Sequence, residues 1–368
     1  MFQAVKLEKF DWLMFLTICL LLTIGFFFVW SASSERFAYR QIIWIGIGMG
    51  VFFGLLIFDY YSIAKYSYIF YAIVIFILVL VFFFGKTVYG AKRWLALGPV
   101  SIQPSEFMKI VLVMVLARHF ALKRKISRFS DIIFPLLLTV LPAALIIKQP
   151  DLGTSLVLLP ILFAILYIAG TKFKYIFSII VFGLISMPFF WYFILKGYQK
   201  DRVIGFLWPN VVDELGIGYH RIQSLIAVGS GGWFGSGWGN GIQSQLNFLP
   251  QGHTDFIFSV IAEEWGFFRS CAVLALYLIF IACSIGIALN TRELYGKLII
   301  TGFTAMFATQ ILVNVAMAIG LAPITGLTLP FISYGGSSLL SSFVALSFMF
   351  NVRLRTRVVM AKDEFYEK

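Results

Sequence analysis

An all-α polytopic membrane protein is the fold this sequence predicts, and three observations predict it. Of 368 residues, 60% are hydrophobic and only 12% carry charge, too few charges to keep a soluble domain of that length in solution. Apolar runs of about 18 residues or more recur along the whole chain, each long enough to cross a hydrocarbon core of about 30 Å. The basic residues gather in alternate connections, the pattern the positive-inside rule describes for a multi-pass protein. That pattern also accounts for the net charge of +12, which in a soluble protein would point to nucleic acid. Here it marks cytoplasmic loops facing an anionic leaflet, and nucleic-acid binding is excluded as a function class.

The elements follow from apolar runs read against their breakers, giving about ten transmembrane helices. The first spans about 11–31. Lys6 and Lys9 before it and Ser31-Ala32-Ser33 after it imitate a secretory signal. The apolar stretch from Trp12 to Trp30 is too long for an ordinary signal core, however, and is expected to be a retained span. The next spans lie near 40–59, 66–85 and 105–122, the last opening after Pro104 and closing at Lys123-Arg124-Lys125. Those near 131–148 and 152–170 are separated by Gln149-Pro150-Asp151, and that near 173–196 follows Lys172. After a long polar interruption come 266–290, 297–320 and 335–352.

An even number of spans puts both termini on one side. The basic cluster after the fourth span, with Arg128, and the C-terminal Arg353, Arg355, Arg357, Lys362 and Lys368 make that side cytoplasmic. The chain is thus expected to be one transmembrane domain over 1–368, with a large extracytoplasmic loop over 197–265 between helices 7 and 8. Two more outer connections, 85–104 and the charge-free 321–335, are expected to be loops. Cys19, Cys271 and Cys283 sit in apolar runs without CxxC spacing and read as small buried residues, not as a disulfide or metal framework.

Several charged residues stand where charge is costly, and intramembrane ionisable groups are functional candidates by default. Glu106 and Lys109 are three apart in the fourth span, on one face and able to pair. They are read either as functional or as an ion pair joining helices. Asp151 opens the sixth span and is either functional or a helix N-terminal charge. In His253-Thr254-Asp255, Thr254 is expected to N-cap a short helix ending near Gly266, with Asp255 in its first turn. Asp255 is then a helix-capping carboxylate or a functional one. Glu263 and Glu264 are expected to face solvent. His119 and His220 stand alone without zinc-ligand spacing. The glycine-rich 229–241, with Trp233, Phe234 and Trp238, lacks the ending of a phosphate loop. It suits either a backbone dipping into the membrane interface or a flexible surface loop.

Taken in order, these motifs resemble the SEDS family (shape, elongation, division and sporulation). They are Arg93-Trp94-Leu95, Gln103-Pro104-Ser105-Glu106-Phe107-Met108-Lys109, Gln149-Pro150-Asp151-Leu152-Gly153-Thr154-Ser155, Gly218-Tyr219-His220, Gly229-Ser230-Gly231-Gly232, His253-Thr254-Asp255-Phe256-Ile257-Phe258 and Leu329 through Ser338. The resemblance runs from the first helix to Arg357. Gly218-Tyr219-His220 and the run from Gln243 to Phe248, including Asn247, are more similar to the elongation branch, RodA, than to the division branch, FtsW. Gln251-Gly252 departs from the acidic residue many relatives carry before His-Thr-Asp.

The resemblance implies a peptidoglycan glycosyltransferase in the bacterial cytoplasmic membrane. It would polymerise lipid II on the extracytoplasmic side, within an elongation complex and beside a class B penicillin-binding protein that cross-links the product. It carries the family's essential aspartate onto Asp255 and makes Glu106, Lys109 and Asp151 important positions. Arg93, Trp94, Arg202, Arg221, Lys109 and His253 are the further candidates for substrate contact, the guanidinium forks because they fit phosphate oxygens. No ligand cluster in the sequence calls for a cofactor, although a divalent cation would be one way to neutralise a diphosphate. Two rival readings stand beside the polymerase. One is a lipid II flippase, with Glu106, Lys109 and Asp151 lining its path; the other is a non-catalytic scaffold of the wall-synthesis complex.

Overall fold

The computed structural model describes residues 9–355 except 89–90, 99, 124–127, 194, 196, 209–216 and 247. Lys6, Arg124, Lys125, Lys196, Asn247 and the C-terminal Arg357, Lys362 and Lys368 lie outside the described residues. The described residues are all-α apart from one small sheet, and each predicted span is a helix. In order these are α1 (Trp12–Ala32), α2 (Glu35–Ile57), the short α3 (Tyr60–Ala64), α4 (Ser67–Phe84), α5 (Pro104–Leu122), α6 (Ser130–Lys148), α7 (Leu152–Ile168) and α8 (Phe173–Phe193). Then follow α9 (Gly197–Leu207), α10 (Ile217–Ser230), α11 (Ile242–Gln245), α12 (Ile257–Asn290), α13 (Leu294–Ala318) and α14 (Gly336–Leu354).

Eight helices among the described residues are long and apolar enough to cross a membrane: α1, α2, α4, α6, α8, α12, α13 and α14. The other two predicted spans, α5 and α7, sit at the centre of the bundle. α5 carries Glu106 and Lys109, and α7 is only 17 residues long. Both pack against α13 and against each other, and α5 is buried on almost every face from Pro104 to Ala117. A helix enclosed by others need not meet lipid along its length, so it tolerates charge and shortness that an outer helix does not. At the opposite extreme, α8 buries only Ile176 and packs mainly on α7.

The connection at 85–104, expected as a loop, is a three-stranded antiparallel sheet of β1 (Lys86–Val88), β2 (Ala91–Leu97) and β3 (Val100–Ile102). Two of the strands are three residues long, too short for the alternation by which a strand is recognised in sequence. The cysteines also depart from expectation. Cys271 is exposed on the outer surface of α12, and Cys19 and Cys283 are only partly covered.

The predicted stop at Gly266 is a break inside α12, where φ is 74° and ψ −174°. The glycine-rich segment crosses the helix at that point. A Cβ on Gly266 would lie 2.3 Å from the backbone nitrogen of Gly235, and one on Gly235 2.2 Å from the carbonyl oxygen of Glu264. Only two glycines allow so close a backbone approach. The segment is therefore not a flexible surface loop. Ser236 and Gly237 donate their N–H groups to the carbonyls of Glu263 and Glu264, each at 3.0 Å, and Phe267 N donates to Gly232 O at 2.9 Å.

Glu263 and Glu264 do not face solvent: both are buried. Glu263 accepts from the backbone of Gln243 at 2.7 Å and of Ser244 at 3.2 Å, at the start of α11. Glu264 accepts from Gly239 N at 3.1 Å and from the Ser31 hydroxyl. Acceptors from the helix thus satisfy loop N–H groups that would otherwise be unpaired.

Candidate active site

The motif residues converge at one end of the bundle, where the sheet, α9–α11, the turn before α12 and the 319–335 segment meet. Asp255 does not stand in a first helical turn. α12 begins at Ile257, its N-cap is Phe256 with no side-chain bond, and Thr254 does not cap it. The Thr254 hydroxyl instead donates to Gln251 Oε1 at 3.0 Å within the 251–256 turn. Asp255 is therefore held by the turn, and the turn is held by chain far away. Ser333 Oγ donates to Thr254 O at 2.6 Å, Tyr334 N donates to His253 O at 2.9 Å, and Asn314 Nδ2 donates to Asp255 O at 2.8 Å.

Asp255 is partly exposed as a residue, and its carboxylate abuts the 319–335 segment at Gly326, where a Cβ would come within 3.5 Å of Oδ2. Burial pushes its pKa above the ordinary carboxylate value. Arg202, the neighbouring Thr254 hydroxyl and Arg93 pull it back, and Asp151 adds to the rise. The result is a carboxylate more basic than usual in a cationic neighbourhood.

Asp151 lies across the same segment. It N-caps α7, and its side chain collects four donors. These are Thr154 N at 3.2 Å, Thr154 Oγ1 at 2.9 Å, Gln103 Nε2 at 2.9 Å and Ser105 Oγ at 3.1 Å. Two residues on, Gly153 lets Thr325 pass so close that a Cβ would lie 2.7 Å from its carbonyl oxygen. The stretch Thr325–Leu327 thus runs between the two aspartates.

Arg93, on β2, donates Nε to Gln149 O at 3.2 Å and its terminal nitrogen to Pro150 O, which ties the sheet to the α6–α7 corner. Trp94 follows it on β2, opposite Lys86, and is partly covered. Arg202 on α9 donates to Ile324 O at 3.2 Å. Arg221 on α10 donates to Gly205 O at 3.2 Å and Gly320 O at 3.3 Å, and lies over the Phe206 ring. Both arginines line a narrow cleft closed by Pro323 and Ile324.

Not every candidate joins this group. His253 sits between aromatic rings, 4.8 Å from Phe37 and 5.9 Å from Tyr334 by centroid, and burial lowers its pKa. It packs the turn as a neutral ring. Glu106 and Lys109 pair at 2.9 Å inside α5, and Ser341 Oγ donates to Glu106 at 3.1 Å. That pair joins α5 to α14. Among the described residues, no three His, Cys, Asp or Glu side chains gather as a metal-ligand set. Sequence reasoning missed Asn314 and Gly326. An isolated asparagine in an apolar helix and a glycine in a charge-free connection carry no local signal.

Fold and site together define a polytopic membrane protein with a carboxylate, Asp255, set beside arginines at one end of its bundle. The chain belongs to the FtsW/RodA/SpoVE family, whose model, described as "cell cycle protein", matches residues 11–358. It is 34% identical to the peptidoglycan glycosyltransferase RodA of Treponema pallidum, covering 95% of this chain and 98% of that one. It is 38% identical to the stage V sporulation protein E of Bacillus subtilis, covering 94% and 98%. A solved structure, described as showing structural coordination of polymerization and crosslinking by a peptidoglycan synthase complex, superposes with a TM-score of 0.82. That match has 32% identity and covers 94% of this chain and 97% of the other.

Proposed function

We propose that this protein is a peptidoglycan glycosyltransferase that polymerises lipid II into β-1,4 glycan strands, with Asp255 as its general base. The activity follows from family membership and from the relatives' names. The mechanism rests on one observation, the placement of the Asp255 carboxylate against Gly326 with Arg202 and Arg93 close enough to act on its charge. A base must have acceptor capacity to spare, and Asp255, unlike Asp151, is not ringed by hydrogen-bond donors.

In the reaction, Asp255 takes the proton from the 4-hydroxyl of the acceptor GlcNAc. The oxygen attacks C1 of the donor MurNAc from the face opposite the diphosphate. The new C1–O bond forms as the C1–O–phosphate bond breaks, with inversion, and undecaprenyl diphosphate leaves with the electron pair. This leaving group needs no protonation, so the second carboxylic acid of a glycosidase has no counterpart here. Arg202, Arg93 and Arg221 supply the positive field for the diphosphate, and a divalent cation held by its oxygens can share that load.

The positive-inside pattern supports reading this end of the bundle as the extracytoplasmic one. A class B penicillin-binding protein is the partner that would cross-link the product, and the motifs favour the elongation role. The flippase reading is the weaker one, because Glu106 pairs with Lys109 and Asp151 is held by four donors, which ties these three groups into the fold. A scaffold would tolerate Asp255→Asn.

The test is lipid II polymerisation by purified protein with its partner's transpeptidase inactivated. Polymer from wild type and none from folded Asp255→Asn is expected. Equal polymer from both removes Asp255 from the chemistry, and none from either, with the partner present, returns the flippase and scaffold readings.

A further inference from the structure

We infer that Asn314 is a positioning residue for Asp255, a clamp that sets where the base stands against the wall of the site; the inference rests on the reading of Asp255 as the base. Asn314 lies on α13, 59 residues from Asp255 in sequence, and is wholly buried. Its one amide nitrogen donates both of its hydrogens, to Asp255 O at 2.8 Å and to Leu327 O at 2.6 Å. Those two carbonyls belong to the two pieces of backbone that define the site. One carries the carboxylate, and the other follows Gly326, against which the carboxylate lies. A single side chain therefore sets the spacing between the base and the surface it faces.

The orientation of the amide is determined by its partners, because both are acceptors and only the NH2 end can meet them. Its oxygen is buried with no partner among the described residues. An unpaired buried acceptor costs about 1–3 kcal/mol, so this asparagine is a poor choice for helix stability alone. A leucine has the same branched outline and would sit in an apolar bundle without that cost. What leucine cannot do is hold two carbonyl oxygens that would otherwise face each other unpaired.

The molecule contains its own control. Asn351, on α14 at the opposite end, is also buried and also donates twice to carbonyls, to Leu55 O at 3.1 Å and Phe58 O at 2.6 Å. It clamps the end of α2, far from Asp255. If clamping only stabilises the fold, the two asparagines should behave alike.

Initial rates of lipid II polymerisation, across pH and lipid II concentration, would be compared for wild type, Asn314→Leu, Asn314→Ser, Asn351→Leu and Asp255→Asn, each checked by thermal melting. Misplacing a catalytic group by about 1 Å costs on the order of 100-fold. Asn314→Leu is accordingly expected to lose about 30- to 100-fold in kcat, with KM changed less than about 3-fold. Asn314→Ser, which keeps one donor, should fall between it and wild type. The acidic limb of kcat should move to lower pH in Asn314→Leu, because a loosened turn admits water to a carboxylate that burial now makes more basic. Asn351→Leu should lower the melting temperature and leave kcat of the folded protein unchanged.

Wild-type kcat and pH profile in a folded Asn314→Leu, with Asp255→Asn inactive, would overturn the clamp and leave the base in place. A proportional loss in Asn314→Leu and Asn351→Leu with an unmoved pH limb would make Asn314 merely structural. Activity in Asp255→Asn would remove the base itself, and the clamp's purpose with it. If Asn314→Leu does not fold, Asn314→Ser decides by the same readings.

Discussion

The corner before α7 and the turn before α12 each present an aspartate to the same end of the bundle, and they use it in opposite ways. Asp151 is buried and accepts from four donors on two helices. Three of these donors meet Oδ2 and one meets Oδ1, so Asp151 holds α5 to α7 with most of its acceptor capacity engaged. Asp255 lies one residue short of a spanning helix, partly exposed, with its backbone held by Asn314 and its carboxylate turned toward Gly326. A buried carboxylate supplied with donors serves stability, and one left with few donors beside cations is what the proposed chemistry requires. The 319–335 segment serves both, packing on the first at Thr325 and walling the second at Gly326.

The sharpest way to break this contrast is Asp255→Asn, expected to cost polymerisation on the order of 100- to 10,000-fold while the protein stays folded. Its stability should not fall. A carboxylate with a raised folded-state pKa opposes folding above that pKa and stops doing so as pH drops below the ordinary carboxylate value. The amide should thus melt at or above the wild-type temperature at neutral pH, with the difference fading in acid. A clear loss of melting temperature would make Asp255 a second structural aspartate.

Next in size is Glu106→Gln, which strands Lys109 without its charge partner in the centre of the bundle. Breaking a buried pair from one side costs about 3–5 kcal/mol, readable as a large drop in melting temperature. Adding Lys109→Met should recover most of it. Recovery of stability without recovery of activity would move the pair into the site.

Asp151→Ala removes a helix cap and leaves the Gln103, Ser105 and Thr154 donors unpaired, a loss of about 2–3 kcal/mol by capping and desolvation together. Thermal melting of the purified variant checks this. The smallest effect on stability is expected from Arg202→Gln, whose readout is the pH profile. Arg202 favours the charged form of Asp255, so its loss raises that pKa further and moves the acidic limb of the rate profile to higher pH. An unmoved limb would show that the titrating group is not Asp255.

Much of the architecture is legible in the chain. Ten spans were expected, and helices occupy all ten positions, with the largest departure at α12, which begins at Ile257 instead of near 266. Glu106 and Lys109 pair as their spacing implies, and Asp151 caps its helix. The failures share a cause. The sheet at 86–102, the burial of Glu263 and Glu264, and the absence of a Thr254 cap all depend on what another part of the chain brings alongside.

The sequence by itself determined the helices, because a long apolar run in lipid has to satisfy its own backbone and does so locally. It also marked which ionisable residues are misplaced for a membrane. Tertiary structure alone decided which of them is surrounded by donors and which is not. Asp151 is satisfied by residues 46 and 48 positions earlier, and the Asp255 turn is held from residues 59 and 79 positions later. A donor's availability is a matter of distance in space, and no local pattern encodes contacts across such separations.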